Sequence, residues 1–151
     1  QAGFSIVGPL SQGMPNSSLL SVDHLFVYGT LRRGSISPMA QWLATHASWT
    51  GAAQARGRLY ALEGYPGFVP DPAAGWVQGD VFKIVDRAPL FAGLDDYEEC
   101  AAHNPEPHEY ARVAIDVRMG AATVPAWTYV YRYSTDGVRR IESGDFLDEE
   151  R

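Results

Sequence analysis

The feature that most restricts the fold of this chain is the order of its strand-like and helix-like segments, which do not alternate strictly. Apolar, aromatic and alternating residues predict strands at 24–28, 55–62, 76–85, 110–119 and 123–133. Helices are predicted between them at 38–46 and at about 87–99. The predicted fold class is therefore α+β, with a mostly antiparallel or mixed sheet that can close into a barrel.

Length and composition fit one folded domain. The chain has 151 residues, of which 46% are hydrophobic and 20% are charged, as in ordinary globular proteins. Residues 1–22 are rich in Gly, Ser, Pro and Asn without periodicity, and they predict an N-terminal tail that is disordered or vector-derived. The domain is then expected at 23–147, followed by a C-terminal tail at 148–151.

Charge and cysteine content argue against several classes of function. The formal net charge is −6 and the 12 Lys and Arg residues are scattered, whereas binding to phosphate backbones needs them clustered. We therefore expect no nucleic-acid partner and no membrane partner. The single Cys100 and the lack of an apolar run of about 18 residues are typical of a reduced, cytoplasmic protein. Nothing in the sequence indicates an oligomeric state.

The turn after the first strand is a candidate anion-binding site. Tyr28-Gly29-Thr30-Leu31 follows a buried strand, and successive free amides in such a turn can form a concave nest for a carboxylate. Gly29 has no Cβ, so a ligand can approach its backbone closely. An ordinary strand-to-loop turn is the commoner explanation of so short a motif.

The second predicted helix turns one acid toward its apolar face. At about 100° per residue, Leu90, Phe91, Leu94 and Tyr97 share one arc, and Glu98 falls inside it. A carboxylate there is costly unless it is paired or lines a cavity. Partial desolvation would raise its pKa toward the range useful for proton transfer. The alternative is a structural ion pair, for which the candidates are Arg58 and Arg112.

Several segments together carry a family resemblance. Tyr28-Gly-Thr-Leu31 and Leu94-Asp-Asp-Tyr-Glu98 resemble the Tyr-Gly-Ser/Thr-Leu signature and the Leu-Asp-x-x-Glu helix of the γ-glutamylcyclotransferase-like (AIG2-like) family. Weaker matches follow in the family's order at 57–60, 65–67, 79–82, 110–112, 127–131 and 143–146. The resemblance covers about residues 25–146.

The resemblance implies a fold, an activity and residue roles. The family's fold is a small mixed, mostly antiparallel β-barrel with flanking helices. Its enzymes convert a γ-glutamyl amine or γ-glutamyl amino acid, a small-molecule substrate, to 5-oxoproline and release the amine. By resemblance Glu98 is the general acid and base, and no metal or cofactor is needed because the substrate's own α-amino group is the nucleophile. The implied substrate-binding residues are Tyr28, Gly29, Thr30, Leu31 and Tyr131.

One segment departs from the family pattern. The link at 99–109 is longer than usual and lacks the glycine that often follows the acid. We expect this loop to overhang the mouth of the pocket and to influence the choice of substrate.

Three other interpretations remain open at this point. Cys100 with His103 or His108 could form a thiol hydrolase pair, although no orienting group is evident. A metal ion could be bound by four side chains of the same segment, although their spacing is irregular and interrupted by prolines. These are His103, Glu106, His108 and Glu109. A non-catalytic protein could use the same cavity for a γ-glutamyl-like ligand or a protein partner. A salt-bridged Glu98 would favour the binding protein, and an open pocket would favour the enzyme.

Overall fold

A computed structural model describes residues 21–149 of the chain, and these residues form a small β-barrel with flanking helices. The strands are β1 (His24–Val27), β2 (Ala47–Ala61), β3 (Pro66–Pro70), β4 (Trp76–Ile84), β5 (Tyr110–Met119) and β6 (Ala122–Tyr131). The helices are α1 (Pro38–His46), α2 (Arg87–Tyr97) and α3 (Phe146–Glu149). None of the helices in this part of the chain is long and apolar enough to cross a membrane.

The barrel closes because β2 and β5, the two ends of the five-stranded ring β2-β4-β1-β6-β5, also pair. The strand order is β3-β2-β4-β1-β6-β5, and a bridge between Gln54 and Arg118 joins β2 to β5. β1 is parallel to β6, and the other neighbouring pairs are antiparallel. β3 pairs with β2 outside the closed ring. The predicted α+β fold with a mixed, mostly antiparallel barrel is confirmed.

The element boundaries agree with the sequence patterns in some places and differ in others. α1 occupies 38–46 as predicted, with the Ser37 side chain accepting a hydrogen bond from the Ala40 amide at the N-terminus. α2 begins at Arg87 but ends at Tyr97, short of the predicted 99. β2 begins at Ala47 instead of 55, and β3 lies between the strands predicted at 55–62 and 76–85, where no strand was expected. The sheet therefore recruits segments whose local composition does not favour strands.

The domain boundaries are wider than expected. Val22, which we assigned to the tail, is buried, and its carbonyl accepts a hydrogen bond from the Trp127 indole at 2.9 Å. At the other end α3 extends to Glu149. The rest of the predicted tails, at 1–20 and 150–151, lies outside the described residues.

The core has two parts that meet at β1. One part fills the barrel and includes Phe26 and Phe68. The other lies between the barrel and the two longer helices and includes Leu25, Leu43 and Leu90. Because successive side chains of a strand point to opposite faces, β1 contributes to both. The residues directly after β1 are thereby held at the rim of the barrel.

Candidate functional site

A cavity of about 290 Å³ lies where β1 ends. Its wall combines the end of β1 and the following turn with the C-terminal end of α2, the start of β3 and parts of β5 and β6. The lining residues are Phe26, Val27, Tyr28, Gly29, Thr30, Leu31, Tyr65, Pro66, Tyr97, Glu98, Glu99, Glu109, Tyr110 and Tyr129.

The turn after β1 places free backbone donors at the cavity wall. The N–H groups of Gly29, Thr30 and Leu31 find no acceptor among the described residues. The carbonyls are occupied, because Arg32 N donates to Gly29 O at 3.1 Å and Ser37 Oγ donates to Thr30 O at 3.0 Å. Adjacent unpaired amides in a concave turn form a site for an anion such as a carboxylate.

Gly29 lets this turn pack directly against the start of β3. A Cβ built at Gly29 would lie 2.7 Å from Cγ and 2.9 Å from Cδ of Pro66. Any larger residue would therefore force the turn away from Pro66 and change the shape of the cavity wall.

A buried acid fixes the exit of the turn. Asp80 is 5% exposed, and its carboxylate accepts hydrogen bonds from Arg32 Nε, Arg33 N and Trp49 Nε1, each at 3.1 Å. Arg32 Nη1 also donates to Asp145 Oδ1 at 2.9 Å. The turn is thus connected to β4, to β2 and to the segment before α3, and charge-assisted bonds of this kind are the strong ones.

The end of α2 has a terminating motif that normally uses glycine. Cys100 N donates to Asp95 O at 2.9 Å and Glu99 N donates to Asp96 O at 3.0 Å, which is the bonding of a Schellman motif. Glu99 occupies the left-handed position of this motif with φ 58°. The sequence therefore lacks a glycine at the position where the backbone would favour one. This termination places Glu98 at the C-cap, directly after the last helical residue and beside the cavity.

Glu98 is an unpaired carboxylate in a largely buried position. Within the described chain no group donates a hydrogen bond to its carboxylate oxygens, and no cation pairs with it. Burial raises the pKa of Glu98 to about 7, and the negative charges of Glu109, Asp95 and Glu99 add to this effect. A carboxyl group with a pKa near neutrality can both accept and return a proton.

The two arginines that might have paired with Glu98 are bonded elsewhere. Arg112 donates to both oxygens of Asp95, at 2.9 and 3.2 Å. Arg58 Nε lies 3.4 Å from Asp71. The Tyr129 hydroxyl also donates to Asp95, at 2.6 Å. Asp95 therefore holds Arg112 beside α2 and away from Glu98, so the ion-pair explanation of Glu98 is not supported.

Buried tyrosines shape the inner wall of the cavity. The Tyr28 hydroxyl donates to Tyr129 O at 2.6 Å, and the Tyr110 hydroxyl donates to Pro66 O at 2.7 Å. Burial raises the pKa of both phenols well above the usual value, so they remain protonated donors. Their bonds join the turn after β1 to β6, and β5 to β3, along the inner wall of the cavity.

The structure brings together most of the residues that the sequence indicated. Glu98 and the turn residues Tyr28, Gly29, Thr30 and Leu31 all line one cavity. Tyr131, which we expected in the wall, is not a lining residue; its ring packs edge-on against Tyr110, with centroids 5.7 Å apart. Tyr131 pairs with Tyr110 on the neighbouring strand, so the two side chains share a face of the sheet, but of the two only Tyr110 is among the lining residues.

Sequence reasoning missed part of the wall. Tyr97 was placed on the apolar face of α2, but the helix ends there and its side chain is 46% exposed. The missed lining residues with polar groups are Tyr65, Glu99, Glu109, Tyr110 and Tyr129. Their positions could have indicated that they line the site, because each lies in or next to a segment that resembles the family.

The loop at 99–109 does not support the thiol or metal interpretations. Burial raises the pKa of Cys100 to about 12, so its thiol stays protonated and is a poor nucleophile. His103 Nε2 lies 2.6 Å from Asp96 Oδ1, His108 Nε2 lies 3.2 Å from Asn104 O, and Glu109 accepts from Tyr65. No group of three or more ligating side chains suited to a metal ion occurs in the described residues. Glu99 and Glu109, at the two ends of the loop, do line the cavity.

The closed mixed barrel and this cavity correspond to one family of small barrels. A sequence model described as "Gamma-glutamyl cyclotransferase, AIG2-like" matches residues 25–148. The chain belongs to this family.

Individual relatives agree with this assignment. The γ-glutamylcyclotransferase family protein YtfP of Escherichia coli (strain K12) is 39% identical over 128 residues, which cover 84% of this chain and 98% of the relative. The γ-glutamylaminecyclotransferase of Mus musculus is 31% identical over 107 residues, which cover 64% of each chain. The solution NMR structure of ytfP from Escherichia coli is similar with a TM-score of 0.57 at 37% identity, and the match covers 85% of this chain and 99% of that one.

Proposed function

We propose that this protein is a γ-glutamylcyclotransferase that cyclises the γ-glutamyl group of a γ-glutamyl amine or amino acid to 5-oxoproline and releases the amine. The observation that carries the proposal is one cavity whose wall contains both the unpaired Glu98 carboxylate and the free amides at 29–31. Membership of the family and the names of the relatives support the reaction class.

The turn and the glutamate suit the two ends of a γ-glutamyl head. The amides of Gly29, Thr30 and Leu31 would hold the α-carboxylate of the substrate, because backbone donors fixed in a concave turn favour an anion. The closed wall would keep the γ-glutamyl chain folded, with its α-nitrogen near its own γ-carbonyl carbon. Holding the reacting atoms in this geometry supplies a large part of the rate enhancement.

Glu98 would relay two protons, one after the other, from the α-nitrogen of the substrate to its leaving nitrogen. Its carboxylate takes a proton from the α-ammonium, and the freed amine attacks the γ-carbonyl carbon to form the ring C–N bond. Glu98 then gives this proton to the leaving nitrogen as the bond between that nitrogen and the carbon breaks. The carboxylate next takes the second proton from the ring nitrogen and passes it to the released amine, which departs as an ammonium. No water is consumed and no covalent enzyme intermediate forms, so atoms and charges balance.

The state of Glu98 favours the enzyme over a non-catalytic binding protein. A carboxylate that only pairs with a ligand's ammonium group works best when it stays ionised, whereas burial raises the pKa of Glu98 to about 7, where the group can also exchange a proton. Here the neighbouring Arg112 is bonded to Asp95 and the cavity beside Glu98 is open. Such strongly perturbed acids concentrate at active sites.

The test is release of 5-oxoproline from γ-glutamyl amines, γ-glutamyl dipeptides and glutathione, measured chromatographically for wild type, Glu98→Gln and Glu106→Gln. Glu98→Gln keeps the shape of the side chain and removes the titrating group, so we expect activity to fall by about 10²–10⁴-fold. Glu106 is exposed and lies outside the cavity wall, so its variant is the matched control. No product from any substrate would refute the enzyme, and an active Glu98→Gln would refute the mechanism.

A further inference from the structure

A second acid of α2, one turn before Glu98, is bonded on both of its oxygens. Asp95 Oδ1 accepts hydrogen bonds from Arg112 Nε at 2.9 Å and from the Tyr129 hydroxyl at 2.6 Å, and Asp95 Oδ2 accepts from Arg112 Nη2 at 3.2 Å. The side chains of Arg112 and Asp95 are only 26% and 20% exposed. Two acids at the same end of the helix therefore have opposite bonding states, and the proposed reaction uses only the unpaired one.

Arg112 lies on the face of the sheet that forms part of the cavity wall. It follows Tyr110 by two residues in β5 and is paired with Tyr129 in β6, so the three side chains share this face. Both tyrosines line the cavity, and Arg112 does not. Its guanidinium carbon lies 3.9 Å from the centroid of the Phe91 ring. The guanidinium therefore packs toward the middle of α2 and not toward its C-terminal end.

The titratable groups that face Glu98 are neutral or negative. Burial raises the pKa of Glu98, and three neighbouring carboxylates raise it further. A guanidinium that reached this position would meet no competing positive charge among these neighbours. They come from the turn after β1, from α2 and the residues after it, and from the start of β5, and they are Tyr28, Asp95, Glu99, Cys100, Glu109 and Tyr110.

Arg112 is close enough to this end of the helix for its charge to matter. Burial raises the pKa of the Cys100 thiol, the negative charges of Asp95 and Glu98 add to this effect, and the positive charge of Arg112 opposes it. A carboxylate and a guanidinium this close to each other would pair if both were free, because an isolated buried charge is costly. Asp95 prevents this by binding the guanidinium with two charge-assisted hydrogen bonds.

We propose that Asp95 is a positioning residue: it holds and neutralises Arg112, and without it the guanidinium acts on Glu98 and keeps that carboxylate from exchanging a proton. Asp95 does not line the cavity, so its effect on the substrate passes through Arg112 and Glu98. This inference rests on the proposed cyclotransferase activity, in which Glu98 is the acid and base.

The first experiment measures 5-oxoproline release against pH for wild type, Asp95→Asn and the double variant Asp95→Asn with Arg112→Met. Asp95→Asn keeps the size of the side chain and removes its charge. We expect kcat to fall by about 10²-fold and the acid limb of the profile to move to lower pH, because a neighbouring cation makes a carboxylate a weaker base. The double variant should return to within about 10-fold of wild type, since a buried ion pair can often be replaced by neutral side chains.

This rescue distinguishes a positioning role from a structural one. If Asp95 only stabilised α2, removing Arg112 as well would leave the activity as low as in Asp95→Asn, and the proposal would be wrong. Asp96→Asn is the matched control, because Asp96 is the next residue of α2, its side chain is 61% exposed and its partner is His103. Its pH profile should be that of wild type.

Titration of Glu98 by carboxyl-carbon NMR separates this inference from the proposed activity. If wild type releases no 5-oxoproline, the proposed activity fails, and the midpoints still decide the role of Asp95. The midpoint should fall from about 7 in wild type to about 4–6 in Asp95→Asn and rise again in the double variant. Equal midpoints in the single and double variants would overturn the proposal.

Folding of the variants is measured by circular dichroism and is itself decisive. An unfolded Asp95→Asn beside a folded and active double variant would assign the damage to the freed guanidinium of Arg112, as the proposal requires. If both variants are unfolded, Asp95 has a structural role and the proposal fails.

Discussion

The turn at 28–33 and the C-terminal end of α2 face the same cavity, but the chain fixes them in different ways. The turn is held by a glycine packed on Pro66 and by Asp80, which accepts bonds from three groups. The helix end carries an unpaired Glu98 and a left-handed Glu99. The frame of the turn is therefore held by packing and charged hydrogen bonds, with its amides at 29–31 left without acceptors, whereas the helix end holds an unpaired carboxylate and a left-handed residue. Such costly features are expected where function opposes stability.

Among the stability variants that test this contrast between the turn and the helix end, Gly29→Ala should have the largest effect. The added Cβ would meet Pro66 at 2.7 Å, and overpacking of this kind costs about 1–3 kcal/mol of unfolding free energy. We expect that loss in denaturant unfolding, together with a raised KM from the displaced amides. Gly75→Ala is the matched control, because a Cβ there meets nothing within 4 Å, and it should be within about 0.5 kcal/mol of wild type. Equal stabilities of the two variants would contradict a tightly packed turn.

Glu99→Gly should have the smaller effect and the opposite sign. The left-handed conformation at φ 58° is unfavourable for glutamate and free for glycine. After allowing for the greater chain entropy of glycine, we expect the unfolding free energy to rise by about 0.5–1 kcal/mol. Glu106 is not in the left-handed conformation, so Glu106→Gly should give no gain in unfolding free energy. A destabilised Glu99→Gly would show that the helix end is not strained.

The sequence was informative where local pattern and tertiary structure agree. The apolar run of β1, the Ser37-Pro38 helix start and the apolar face of α2 with Leu90 and Leu94 all appear as expected. The same helical period directed Glu98 toward the cavity, which it lines, although the helix ends one residue before it and Tyr97 on the same arc is exposed. In these segments each residue's own preference matches the final structure.

The misses occurred where distant parts of the chain decide the local structure. β3 begins and ends with proline and contains Gly67, so its composition favours a loop; pairing with β2 makes it a strand. The first half of β2, from Ala47, lacks apolar alternation and is organised by β4. Tyr110 and its paired residue Tyr131 share a face of the sheet, and only Tyr110 is a lining residue; how far the cavity extends along that face depends on the tertiary structure, which a single sequence does not give.

The central claim is that Glu98 is an unpaired carboxyl group poised to transfer a proton. The direct measurement is its titration, followed by carboxyl-carbon NMR in the folded protein with Glu98→Gln used to assign the signal. The account predicts a midpoint of about 7. Since this is above the ordinary value of 4.5, the folded state retains a proton that the unfolded chain has lost, and stability should fall as pH rises from about 4.5 to 7. A midpoint near or below 4.5, as for an exposed or salt-bridged glutamate, would contradict it.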